Sequence, residues 1–136
     1  MYLIQGRRAF LLLGAMALVL AAACASTNAP INNVSGKSIA TNRPATMAEI
    51  GNAILAAGAS STRMQMKQER PGVIQATRTG TKGRMAIMEI KYDTKQYSIT
   101  YKDSQNMNYD GKQILQSYND WVENLDKAIL ARLQAL

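Results

Sequence analysis

Ala86-Ile87-Met88-Glu89-Ile90-Lys91-Tyr92, then Asp93-Thr94-Lys95-Gln96, then Tyr97-Ser98-Ile99-Thr100-Tyr101-Lys102 is the stretch that decides the fold. In the first run Ala86, Met88, Ile90 and Tyr92 alternate with Ile87, Glu89 and Lys91. In the last, Tyr97, Ile99 and Tyr101 alternate with Ser98, Thr100 and Lys102. Successive strand side chains point to opposite faces, so each run predicts a strand with one apolar and one wet face. Residues 93–96 carry the chain back as a turn.

The same period continues upstream. Met64 and Met66 alternate with Arg63, Gln65 and Lys67, and Ile74 and Ala76 alternate with Gln75 and Thr77, with Pro71-Gly72 as the turn between them. Gly80 and Gly83 interrupt the pattern before Ala86. The expectation is a four-stranded antiparallel meander, apolar on one side. Met64, Met66 and Met88 read as adaptable core filler at strand spacing.

Helical periodicity flanks this meander on both sides. Thr46 stands three residues before Glu49, the pattern of a capping box, and Ile50, Ala53, Ile54 and Ala57 follow at i, i+3, i+4 and i+7, with Gly58 as the expected stop. From Ile114 onward, Tyr118, Trp121, Val122, Leu125, Ile129 and Leu133 form a broad apolar stripe on a helix of about twenty residues. Asp120, Glu123 and Asp126 lie toward its start and Arg132 toward its end, the arrangement that suits the helix dipole. The fold class predicted is α+β: a small two-layer domain over residues 46–136, the meander packed against an N-terminal and a long C-terminal helix.

The chain before residue 46 reads differently. Arg7 and Arg8 precede an apolar run over residues 9–20, about 18 Å long as a helix at about 1.5 Å per residue and short of the roughly 30 Å hydrocarbon core. Residues 1–23 therefore read as a removable signal rather than a permanent span. The run closes with Ala21-Ala22-Ala23 before Cys24, the only cysteine in the chain. This ending resembles the lipobox of bacterial lipoprotein precursors, in which small residues precede a cysteine that is acylated and becomes the mature N-terminus. Ala21 stands where such boxes usually carry Leu, and Leu20 lies one position earlier. The resemblance implies lipidation of Cys24, palmitate-type acylation and export; ordinary cleavage after Ala23 is the rival and leaves a lone thiol on an exported protein. Arg7-Arg8-Ala9-Phe10-Leu11 also resembles a twin-arginine signal, but the Leu-rich run and the lack of a cofactor motif downstream favour general secretion.

Residues 25–45 are rich in Ser, Thr, Asn and Ala, with Pro30, Gly36 and Pro44. Such a composition predicts that residues 24–45 are a lipidated cysteine and flexible tether spanning roughly 25 Å. An edge strand built on Ile31, Val34 and Ile39 is the other reading.

Further resemblance lies in the second half. Tyr97-Ser98-Ile99-Thr100-Tyr101-Lys102-Asp103-Ser104-Gln105-Asn106-Met107-Asn108-Tyr109, followed by Tyr118-Asn119-Asp120-Trp121-Val122 and Leu125, resembles a group of short proteobacterial lipoproteins with no assigned activity. It covers roughly residues 50–133. The resemblance implies a Gram-negative envelope lipoprotein and transfers no catalytic residue. Ala25, rather than aspartate, after the cysteine resembles the enterobacterial rule for sorting to the outer membrane, facing the periplasm.

Composition narrows the chemistry. The chain has no histidine and one cysteine among 136 residues, so an internal disulfide is impossible and the common zinc, iron and copper ligand sets are missing. No cofactor and no metal are expected. Hydrolysis without histidine needs a Ser-Lys pair, such as Ser98 or Ser104 with Lys102, or converging carboxylates; neither is compelling, so the chain reads as a non-enzyme. Two constellations are candidates for binding. Tyr101, Ser104, Asn106, Tyr109, Tyr118, Asn119 and Trp121 combine rings with amides, as walls for sugars or peptides do, although Tyr118 and Trp121 fall on the apolar stripe and Asp103, Ser104 and Asn106 equally suit a turn. Arg78, Lys82 and Arg84 form a basic loop with Gly80 and Gly83, read as a solvated hairpin or as a contact for anionic lipid or lipopolysaccharide. The formal charge of +7 suits such surfaces, and no nucleic-acid partner is expected for a chain read as exported. The functional expectation is an envelope module that docks a protein or supports an assembly, with capture of a lipid, glycan or peptidoglycan fragment as the alternative.

Overall fold

The structure, a computed structural model, describes residues 27–136. The readings that concern the signal peptide, the paired arginines and Cys24 lie outside the described residues. Nine elements follow in order: β1 (Asn28–Pro30), β2 (Val34–Ser38), α1 (Met47–Ala59), β3 (Met64–Arg70), β4 (Val73–Thr79), β5 (Met85–Tyr92), β6 (Gln96–Gln105), β7 (Gln113–Leu115) and α2 (Gln116–Gln134).

The predicted meander is present as β3-β4-β5-β6, antiparallel throughout, and β2 extends it to a five-stranded sheet of order β2-β6-β5-β4-β3. Pro71-Gly72 joins β3 to β4, with Gly72 at φ +83°, the conformation a Pro-Gly turn demands of its second residue. At the next turn the Asp93 carboxylate accepts from the backbone N–H groups of Lys95 and Gln96 at 2.7 and 2.8 Å. Ile74, Ala76, Ala86, Met88, Ile90, Tyr97 and Ile99 face the helices and are buried. Met88 is wholly buried, while Met64 and Met66 are half-buried against the core. Both helices cover this one face of the sheet.

A flexible tether over residues 24–45 does not hold for the described part of that segment. β1 pairs with β7 in a separate two-stranded sheet, and β2 pairs with β6, bringing Val34 opposite Ile99 and Lys37 opposite Tyr97. Ile31, Val34 and Ile39 pack against the core. Their spacing is too irregular to announce a strand locally. The open edge of β6 supplies the hydrogen bonds and the apolar cover that the segment lacks alone.

α1 begins as expected. Thr46 caps it through a full capping box with Glu49, and Ile50, Ala53, Ile54 and Ala57 are buried. Gly58 is not the stop: the helix continues to Ala59, with Ser60 as its C-cap. Gly58 is needed for a different reason, since a Cβ there would collide with the Met66 side chain, so the bare backbone sets how closely α1 approaches β3. α2 starts later than the apolar stripe, because Ile114 and Leu115 belong to β7.

The entry to α1 carries a pH-sensitive contact. Arg43 donates to Glu49 at 2.6 Å, and the Thr46 backbone N–H donates to its other oxygen at 2.9 Å. The Arg43 guanidinium first, and that N–H second, hold the Glu49 carboxyl down at about 2 from an ordinary 4.5. The sign follows from linkage: with a depressed folded value, the contribution is complete above pH 4.5 and is lost as pH falls from 4.5 toward 2. The Asp93 and Asp110 carboxyls, held low by turn N–H groups, act in the same direction. Glu49→Gln is therefore expected to lower the neutral-pH melting temperature and to flatten, without abolishing, its fall through the acid range. Parallel melting curves for both proteins from neutral to acid pH would show that the capping carboxylate is not linked to folding.

Candidate functional site

The strands and α2 define two ends of the molecule. β4 finishes, β5 starts, β6 finishes and α2 starts at one end, here called the entry end because Thr27 lies there, its carbonyl accepting from the Gln116 N–H at 2.9 Å. The turns at 71–72 and 93–96 and the finish of α2 form the opposite end.

The aromatic constellation lies at the entry end. The Tyr101 ring stacks on Tyr109 at 4.1 Å between centroids and meets Tyr118 edge-on at 5.7 Å. Its hydroxyl lies 2.8 Å from Ser104 Oγ. Tyr118 is fully buried, Tyr101 half-buried and Tyr109 40% exposed, so the rings form a column whose faces are largely spent on each other. Burial is the main reason that the Tyr101 and Tyr118 phenols are pushed up, and both are neutral at physiological pH. The two amides act as fasteners. Asn119 accepts from the Asn32 N–H and donates to the Pro30 carbonyl, each at 2.9 Å, tying the N-terminal strands to α2. Asn106, at φ +54°, donates to the Gly83 carbonyl at 3.0 Å and so joins the loop after β6 to the β4–β5 hairpin.

The suggested Ser-Lys pair is separated by a bulge. Ile87 pairs with Asp103 and Met88 with Tyr101, leaving Lys102 as the extra residue in β6. Tyr101 and Ser104, opposite Met88 and Ala86, thus share the covered face, whereas Lys102 donates to Gln75 at 3.0 Å on the bare face. An alternation that would have put Lys102 and Ser104 side by side is broken by that one inserted residue.

The basic loop is divided as well. Lys82, at φ +56°, is exposed at the hairpin tip, but Arg78 belongs to β4 and continues the inward phase of Ile74 and Ala76. Its guanidinium lies 5.5 Å from the centre of the Trp121 ring and donates to Ser61 Oγ at 2.8 Å. Gly80 crosses the edge of the same indole so closely that a Cβ would stand 2.9 Å from it, and Arg84 packs beside that glycine. Trp121 is half-buried against the core and also walls a cleft, so the core and groove readings describe its two sides. The cleft, about 180 Å³, lies between the end of α1, the start of β3 and α2; Ala57, Met64, Leu125 and Ala128 line its floor, and Ser61 and Asn124 its rim. Arg78 and Trp121 were visible separately, and only packing makes them one site. The alternation through Ile74 and Ala76, carried two residues further, is the sequence signal that places Arg78 inward.

At the opposite end a broader depression of about 490 Å³ is lined by Arg70, Lys91, Asp93, Gln96 and Ser98. Among the described residues, no cluster of three or more Cys, Asp or Glu residues is arranged to hold a metal ion. Comparison with protein-family models, with curated proteins and with solved structures finds no match to the chain.

Proposed function

We propose that this protein is an envelope lipoprotein, anchored through acylated Cys24 to the outer membrane and facing the periplasm, whose α+β domain acts by binding an envelope protein rather than by catalysis. The observation that carries this reading is how close to Cys24 the chain is already built into the domain. Thr27 is already hydrogen-bonded into the fold. Three residue steps separate it from Cys24 and reach at most about 11 Å, so an acylated cysteine would hold the entry end flush against the head groups. Exposed Lys82, Lys112 and Tyr109 lie at that end, a combination suited to an anionic, interfacial surface. The opposite end, with the depression around Arg70, Lys91 and Asp93, then points into the periplasm as the docking surface.

Two measurements test this reading. Acylation contributes about 0.8 kcal/mol per buried methylene, so several chains hold a protein firmly at the bilayer. Cys24→Ser is expected to abolish the fatty-acyl mass and prevent normal processing; wild-type protein that is processed, carries no acyl mass and is wholly soluble would refute the anchor. A photoreactive group at Lys82 should cross-link to lipid and one at Lys91 to a discrete protein. The reverse pattern would refute the orientation. The alternative, capture of a small ligand, is favoured by the cleft between Arg78 and Trp121.

A further inference from the structure

We propose that the cleft between Arg78 and Trp121 is a binding site for a small amphiphilic oxyanion, its carboxylate or phosphate group held by Arg78 and its apolar part seated on Ala57, Met64, Leu125 and Ala128. This inference deepens the ligand-capture reading and rests on it, not on the anchor.

Charge is the first argument. A guanidinium carries five N–H donors in a planar fork, and among the described residues the hydrogen bond from the Arg78 side chain goes to a neutral hydroxyl, Ser61 Oγ. Among the described residues no carboxylate is ion-paired with Arg78 or with its neighbour Arg63; the pairs formed are those of Lys37, Arg43, Lys67, Lys91 and Lys127. Partial burial, and secondarily the positive charge of Arg63, disfavour the charged form of Arg78. An incoming oxyanion relieves both effects and matches the fork bidentately. Trp121 fixes the orientation of the guanidinium from one side and Ser61 from another, so little side-chain entropy remains to be lost on binding.

Shape is the second argument. The volume of about 180 Å³ is comparable to the roughly 150 Å³ apolar cavity known to accept benzene, so a six-carbon ring is a suitable size for the apolar part. The cleft is not simply apolar, since Arg78, Ser61 and Asn124 stand at its rim. Its ligand therefore needs both characters.

Trp121 is the only tryptophan, so its fluorescence reports the site directly. The full protein, reconstituted in phosphatidylcholine vesicles, would be titrated with cyclohexanecarboxylate, cyclohexyl phosphate, cyclohexanol and cyclohexylammonium. Saturable changes are expected for the two anions and none for the alcohol or the cation. Arg78→Gln should weaken anion binding about tenfold or more, the loss expected for a hydrogen-bonded charged partner, and Arg78→Lys should restore part of it. Arg63→Gln, at an exposed position where folding is not at issue, should weaken binding several-fold. If the alcohol binds as well as the anions, or if neither arginine substitution alters the anion titration, the proposal is overturned. Phosphatidylglycerol in the vesicles distinguishes the source: competition with the soluble anions supports a lipid head group, and undiminished anion binding supports a soluble ligand. Unchanged titration of Cys24→Ser protein would support the cleft whether or not the anchor exists.

Discussion

Asp126→Ala is expected to destabilise the domain by about 2–4 kcal/mol. Asp126 lies midway along α2 and joins three elements: one carboxylate oxygen accepts from the Tyr97 hydroxyl of β6, and the other is paired with Lys37 of β2. Tyr97 is 1% exposed, so removing its acceptor leaves a buried hydroxyl unsatisfied, which costs about 1–3 kcal/mol, on top of a charge-assisted bond of about 1.5–3 kcal/mol that is itself partly offset by desolvation. Burial and the neighbouring carboxylate push the Tyr97 phenol far up, so it stays a neutral donor throughout the physiological range. The Lys37 side chain is 37% exposed, and its pairing adds less than about 1 kcal/mol. Chemical denaturation of Asp126→Ala, Tyr97→Phe and the double variant forms a cycle. A coupling above about 1 kcal/mol is expected, with Lys37→Ala mild by comparison. If Asp126→Ala unfolds within about 0.5 kcal/mol of the wild type, this contact is not what fastens α2 to β6.

Gly58→Val should be comparably severe, at about 3 kcal/mol, the upper part of the range for overpacking. The collision is with the Met66 side chain near its root, at Cγ and Sδ, rather than at its mobile end alone. Helix and strand must separate, or Met66 must leave the core, and both expose apolar surface. Met66→Ala makes room, so the double variant should recover part of the loss. Gly58→Ala gives the opposite test: helix propensity alone favours Ala over Gly by about 1 kcal/mol, so a net gain would mean that Met66 moves aside freely and that Gly58 does not set the spacing.

Taken together, the two variants probe the separate attachments of the helical layer. α1 is held to β3 by shape, through close approach, whereas α2 is held by shape plus polar contacts, the Asp126 clamp and the Asn119 bonds to the N-terminal segment. Arg78 and Trp121 lie at the seam between these attachments, in a cleft lined by the end of α1, the start of β3 and α2. The cleft is thus a consequence of how the two helices cross the sheet. Neither helix could form it alone.

Local pattern determined most of the scaffold. Alternation through Ala86, Met88 and Ile90 and through Tyr97, Ile99 and Tyr101, with turn residues between, specified the meander, and the Thr46–Glu49 box specified the start of α1. These features are legible because a strand repeats every two residues, a helix every 3.6, and a cap within one turn. Tertiary structure alone decided the rest. β2 is a strand because β6 offers it an edge; Asn119 is a fastener because Pro30 and Asn32 arrive beside it; Lys102 and Ser104 part because one residue bulges out of β6. Arg78 and Trp121 share a cleft for the same reason. Such contacts join residues far apart in sequence and leave no short-range period, since the free energy that holds them is released only when the separate elements are already packed.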